Sequence, residues 1–171
     1  MAILPILQYP DKRLRIPGVP VTDFGPEFQA VIESMAETMY AAPGVGLAAP
    51  QVGISKRLFI VDISDSETEP SDLRVFANPE ILEKRGSVIF DEGCLSFPGI
   101  REELESAAEV RVRAHDREGN VFELEANGLL AIAIQHETDH VDGKLMIDRM
   151  GPLRRRIVHR MLSKKQYATA K

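Results

Sequence analysis

The chain has 171 residues, enough for one folded core and short for two, and its hydrophobic fraction of 44% is ordinary for a globular protein. One cysteine excludes an internal disulfide and fits a reducing compartment, and no stretch is apolar over the ~20 residues that a membrane span needs. The formal net charge of −5 is uneven, because eight of the 21 Lys and Arg but none of the 26 Asp and Glu fall in residues 149–171.

In chain order, residues 1–24 carry Pro5, Pro10, Pro17 and Pro20, so this stretch reads as an extended arm with at most one helical turn near 11–15. It has no basic n-region and no long apolar run, so no secretory signal is expected. From 26 to 40, Phe28, Val31, Ile32, Met35 and Met39 recur at helical spacing behind Pro26, which predicts an amphipathic helix. Ala42-Pro43-Gly44 ends it, and a glycine-rich loop occupies 44–53. The β-branched and apolar run 57–63 predicts a buried strand, and 65–72 an acidic surface loop. Further strands are expected at 73–82, 87–90, 107–114 and 121–124, with a polar hairpin turn at 116–120. Asn127-Gly128 starts a helix whose next six residues, Leu129 to Ile134, are apolar nearly all round, as in a buried helix, and Gly143 marks its stop. Pro152 opens a last, basic helix to about 167. The expected fold is α+β in one domain over 1–171: short, mainly antiparallel strands around a buried helix, plus a C-terminal helix.

The buried helix carries His136-Glu137-Thr138-Asp139-His140. Four helical steps of ~100° bring the second imidazole back over the first, so both can reach one ion. Glu137 lies one step round, within reach of a water at that ion without being a ligand. The lone thiol, Cys94, follows Gly93 on an expected turn, where a side chain can leave the core. Two imidazoles and one thiolate would leave a divalent ion at formal charge +1 with an open position, the hydrolytic arrangement. The bland readings are core histidines bonded to backbone and a cysteine acting as a small hydrophobe. Glu92 and Asp139, acidic neighbours of the proposed ligands, are candidates to support them.

The loop Gly44-Val45-Gly46-Leu47-Ala48-Ala49-Pro50-Gln51 lacks the Lys-Ser/Thr ending of a phosphate loop. Its small residues would let backbone approach a ligand, and the Gln51 amide could donate to an oxyanion, although a plain structural loop accounts for it as well. Val45 and Gly46 could present backbone groups to an extended peptide. Leu129, Ile132 and Ala133 precede His136 on its own face and could line an apolar pocket or simply fill the core.

In this order, Gly44-Val45-Gly46-Leu47-Ala48-Ala49-Pro50-Gln51, Glu92-Gly93-Cys94-Leu95-Ser96 and Gln135-His136-Glu137-Thr138-Asp139-His140 resemble the three signatures of peptide deformylase. The likeness spans the chain. The opening Ile6-Leu7-Gln8-Tyr9-Pro10-Asp11-Lys12-Arg13-Leu14-Arg15 resembles the family's N-terminal arm, and the helix after Pro152 its bacterial C-terminal helix. Val141 stands where Leu is frequent and Gly151 where Ser is common, and neither touches the chemistry. The resemblance implies removal of the formyl group from the N-terminal formyl-methionine of new polypeptides, with formate released. It implies Cys94, His136 and His140 as ligands of one divalent ion, usually Fe²⁺, with Zn²⁺, Ni²⁺ or Co²⁺ able to substitute. It implies Glu137 as the catalytic residue, and Arg101 resembles a position that meets the substrate backbone. On that reading, Glu137 takes a proton from water and returns it to the leaving amine. The Gln51 side-chain amide and the Leu95 N–H hold the oxyanion with the ion.

A zincin endopeptidase shares the helix motif but takes its third ligand downstream. Here Met146 stands where a metzincin has histidine, no acid follows Asp148, and His159 is the only late imidazole. The basic tail reads as a solvated helix by composition. Under the resemblance, 154–165 would dock on ribosomal RNA near the peptide exit. A bacterial cytoplasm is the expected setting, an organellar enzyme freed of its presequence being equivalent, with no membrane partner.

Overall fold

The computed structural model describes residues 2–65 and 67–170, of which 165–170 by backbone alone. The arm is extended apart from a 3-10 turn, Lys12–Arg15, capped where Asp11 Oδ1 accepts from the Arg13 N–H at 2.9 Å. Helix α1 (Pro26–Ala41) buries Phe28, Ile32, Met35 and Met39, the stripe its sequence marks out. Strands β1 (Gly46–Ala48), β2 (Leu58–Val61) and β3 (Arg74–Arg85) follow. Then come β4 (Val88–Gly93), β5 (Arg101–Ser106), β6 (Glu109–His115) and β7 (Val121–Asn127). Helix α2 (Gly128–Val141), a 3-10 turn at Met146–Arg149 and helix α3 (Pro152–Ala170) complete the chain.

Strands β1, β2, β3, β6 and β7 pair in that order as one antiparallel sheet, while β4 and β5 form a separate antiparallel ribbon. The large sheet is covered on both faces where it is most apolar. Leu58 and Ile60 of β2 pack with the α1 stripe, and Phe59 and Val61 pack on the α2 side with Phe76, Val112 and Ile134. A strand buried on both faces has no polar alternation, which is why β2 reads as a continuous apolar run. Strand β6 faces inward only with Val110, Val112 and Ala114 and turns charges outward between them. In β3 the register shifts near Asn78, which takes φ 52, a left-handed value that asparagine tolerates. Its amide clasps the Val21 N–H and carbonyl at 2.7 and 2.9 Å.

A third apolar cluster joins the arm (Tyr9, Leu14), the segment after Cys94 (Phe97, Ile100), the turn at Met146–Arg149 and α3 (Val158, Leu162). Two strands lie outside the expected set. Strand β5 has three glutamates in six residues and turns only Leu104 and Ser106 fully inward, so it lacks an apolar signature. Strand β1 is only three residues, Gly46-Leu47-Ala48, inside the glycine-rich loop. The expectation of a helix buried all round holds from Ala131 onward. It fails at Leu129, which stays 38% exposed because it borders a pocket rather than the core.

Candidate metal centre and its pocket

His136 and His140 stand one turn apart on α2, whose apolar faces fix the helix in the core. Cys94 follows directly after β4, which runs three residues beyond the expected end at Phe90. The Cys94 Sγ lies 3.3 Å from His140 Nε2, which lies 3.3 Å from His136 Nε2, and all three ligand atoms fall within 4.8 Å of one another. Ligand bonds of about 2.0–2.3 Å at a tetrahedral angle put donor atoms about 3.4–3.6 Å apart, so the set fits one ion such as zinc or iron. The two imidazoles titrate in opposite directions from the ordinary value. Burial alone would lower His136, but the charge of Cys94 and hydrogen bonds donated to Cys94 and Glu92 hold it well above the usual range. Burial and the charge of His136 push His140 well below.

Glu137 points to the same place. Its Oε1 is buried with no hydrogen-bond partner among the described residues, and burial raises its carboxyl to about 7. An orphaned buried oxygen is costly unless something polar comes to it. Gly46 allows it to sit there, since a Cβ at that position would lie 2.6 Å from Glu137 Oε2. The acidic neighbours behave differently. Glu92 Oε1 lies 3.3 Å from His136 Nδ1, the nitrogen that faces away from the ligand cluster. Asp139 makes no side-chain hydrogen bond among the described residues. Burial raises its carboxyl against the pull of Arg149, and it supports no ligand.

Gln51 is clamped at both ends. Its Oε1 accepts from the Ala48 N–H at 2.9 Å, and its Nε2 donates to Ser96 Oγ at 3.1 Å and faces Cys94 Sγ at 3.7 Å. The Leu95 N–H donates to no group among the described residues. The arm supports both segments through its backbone: the Leu7 N–H donates to the Gln51 carbonyl at 2.7 Å and the Tyr9 N–H to the Ser96 carbonyl at 2.8 Å. Sequence reasoning missed these contacts. Main-chain donors in a proline-punctuated arm carry no side-chain signature.

A pocket of about 900 Å³ opens onto His136, Glu137 and Cys94. Leu129, Ile132 and Ala133 line it; Leu129 is exposed there, whereas Ile132 and Ala133 are buried and pack as well as line. Val45 is half exposed at the rim, and Gly46 begins β1, an edge strand paired on one side only. Arg101 also borders the pocket, its guanidinium tied to the Asp91 carboxylate and carbonyl at 2.8 Å each. His159, the late imidazole that a downstream-ligand enzyme would need, is bound instead to the Tyr9 hydroxyl at 2.6 Å.

Comparison with known proteins agrees with this geometry. The polypeptide deformylase family profile matches residues 3–156. "Peptide deformylase 2" of Xanthomonas axonopodis pv. citri is 48% identical over 169 residues, covering 97% of this chain and 98% of that protein. The crystal structure of a peptide deformylase from Legionella pneumophila superposes with a TM-score of 0.91 at 45% identity, over 99% of both chains. A peptide deformylase from Ehrlichia chaffeensis in complex with actinonin gives 0.90 at 32% identity, over 96% of this chain and 98% of that one.

Proposed function

This chain belongs to the polypeptide deformylase family, and from that premise we propose how its residues remove the formyl group from the N-terminal formyl-methionine of nascent polypeptides. The enzyme is a metal-dependent hydrolase that releases formate. The observation that carries the assignment is the meeting, beside one pocket, of three converging ligand atoms and a buried carboxylate oxygen with no partner among the described residues.

Cys94, His136 and His140 would hold the ion. When bound, it supplies Lewis acidity and makes a water acidic enough to act as a nucleophile near neutral pH. Glu137 takes a proton from water and gives it to the amine as the C–N bond breaks, a role that its buried position beside the ligands allows. Gln51 Nε2 and the free Leu95 N–H donate to the oxygen of the tetrahedral species. Ser96 and Ala48 keep the Gln51 amide from turning away. Leu129, Ile132 and Ala133 receive the methionine side chain. The peptide runs along the open edge at Val45 and Gly46, with Arg101 at the rim toward its backbone.

The proposed ion in the cell is Fe²⁺. Zn²⁺, Ni²⁺ or Co²⁺ suits the same thiolate and imidazole donors, and metal analysis of anaerobically purified protein decides among them. We assign the whole of 1–171 to one deformylase domain acting in the bacterial cytoplasm, an organellar form being equivalent. No helix of the described residues is long and apolar enough to cross a membrane. The basic helix is proposed to meet ribosomal RNA near the peptide exit. Arg154 is taken up by Glu102, and Arg155 by the carbonyls of Ile147, Asp148 and Met150. Arg156, Arg160 and Lys164 form no ion pair among the described residues and are the candidates for RNA; Lys171 and the side chain of Lys165 lie outside the described residues. Unchanged co-sedimentation of the triple glutamine variant with ribosomes would remove that partner.

The decisive assay is release of formate from formyl-Met-Ala-Ser. Glu137→Ala is expected to retain its ion and lose roughly 10²–10⁴-fold in kcat. Metal-replete variant protein with near-normal turnover would overturn the assignment.

A further inference from the structure

Arg149 stands apart from the basic helix with which its sequence groups it. It ends the 3-10 turn Met146–Arg149, and its guanidinium points back under the metal centre. One nitrogen donates to Glu92 Oε2 at 3.4 Å. The other donates to Ser106 Oγ at 2.8 Å and to the Glu105 carbonyl. Ser106 Oγ itself lies 3.4 Å from Glu92 Oε2. Glu92 is 4% exposed, so its second oxygen has no solvent to turn to.

We propose that Arg149, with Ser106, is a positioning residue for the metal centre, acting through Glu92. Occupying Oε2 from two sides leaves Oε1 as the oxygen that faces His136 Nδ1. An imidazole that ligates through Nε2 must carry its proton on Nδ1, and the acceptor of that proton fixes both tautomer and ring orientation. Arg149 is the full cation in contact with Glu92 among the described residues. Removing it would leave a buried carboxylate half satisfied and free to rotate off the imidazole. The guanidinium also joins β4, β5 and the turn beyond α2, so the element bearing Cys94 and the helix bearing His136 are referred to one group.

The inference rests on Cys94, His136 and His140 being the ligands. The test is therefore metal affinity rather than turnover. Zn²⁺ affinity is read by competition with a chromophoric chelator, using full-length protein. Wild type should bind one equivalent, and His140→Ala should lose it. Outer contacts of this kind are worth roughly 10–100-fold in affinity, so Arg149→Met should bind Zn²⁺ about tenfold more weakly. Arg149→Lys keeps the charge but not the fork and should recover part of the loss; it reads the same quantity if the Met variant does not fold. The Arg149→Met effect should vanish in a Glu92→Gln background, which a merely structural role would not produce. Wild-type affinity in both Arg149 variants, or an equal loss with and without Glu92, would overturn the clamp alone. Failure of wild type to bind Zn²⁺ would instead remove the ligand assignment, and the clamp with it.

Discussion

The candidate metal centre has two halves that are held in different ways. The α2 half, with His136, Glu137 and His140, rides on a helix wedged against the large sheet, and Ala131 and Ile134 beside it are fully buried. The ribbon half, with Glu92, Cys94 and Leu95, rides on β4 and β5, where Val88, Ile89 and Phe90 are all exposed. Burial in the main core fixes the first, whereas the second combines a smaller apolar cluster with polar contacts from Gln51, Arg149 and the arm. One half of the site is therefore as stable as the core. The other rests on a smaller apolar cluster at Phe97, Ile100 and Leu104 and on a few hydrogen bonds, each worth about 1 kcal/mol net.

The largest expected effect tests the α2 half. Ile134→Ala removes a fully buried side chain and should destabilise the fold by roughly 2–5 kcal/mol in denaturant melts. Ile89→Ala on β4, where the side chain is 67% exposed, should change stability by less than about 0.5 kcal/mol. Similar losses from both would show that the ribbon is part of the cooperative core, and the contrast would fail.

Gly46→Ala probes the line where the halves meet. The new Cβ would lie 2.6 Å from Glu137 Oε2, and backbone on a paired strand yields less readily than a carboxylate. Glu137 should shift by a fraction of an ångström to one ångström, and in its proposed role a displacement on that scale costs about 10²-fold in kcat/KM. The thermal midpoint should move little, because Gly46 lies in extended backbone and not among the positive-φ glycines. Wild-type deformylation by this variant would mean that Glu137 is not confined as the helix half implies.

The same division governs what could be read before the structure. Helix α2 was plain in the sequence because a buried helix needs apolar residues on every side and its two histidines fall one turn apart. Strands β2 and β6 were plain because burial on two faces or on one leaves a continuous or alternating pattern. The β5 strand left no such trace: Glu102, Glu103 and Glu105 face water or ion partners. Arg149 was counted with the tail, since a charge count cannot tell a solvated arginine from one directed at Glu92. The candidate ligands were accessible from sequence while most of their supports were not. Side chains that bind an ion recur in recognisable patterns, whereas the groups that hold them are often main-chain N–H donors.

The smallest effect asks which contacts hold the ribbon half. The Tyr9 hydroxyl meets His159 Nδ1 of α3 at 2.6 Å, while the ring stacks on Phe97 at 5.0 Å between centroids, and the backbone N–H holds the Ser96 carbonyl. Tyr9→Phe removes only the first of these. If the arm holds the Cys94 segment through its backbone and the stacked ring, the variant should lose about 1 kcal/mol of stability and keep kcat/KM. A fall in kcat/KM of tenfold or more would show that the hydroxyl transmits the position of α3 to the Cys94 segment. The ribbon half would then be coupled to the basic helix, and occupancy of that helix by a partner would reach the metal centre through one hydrogen bond.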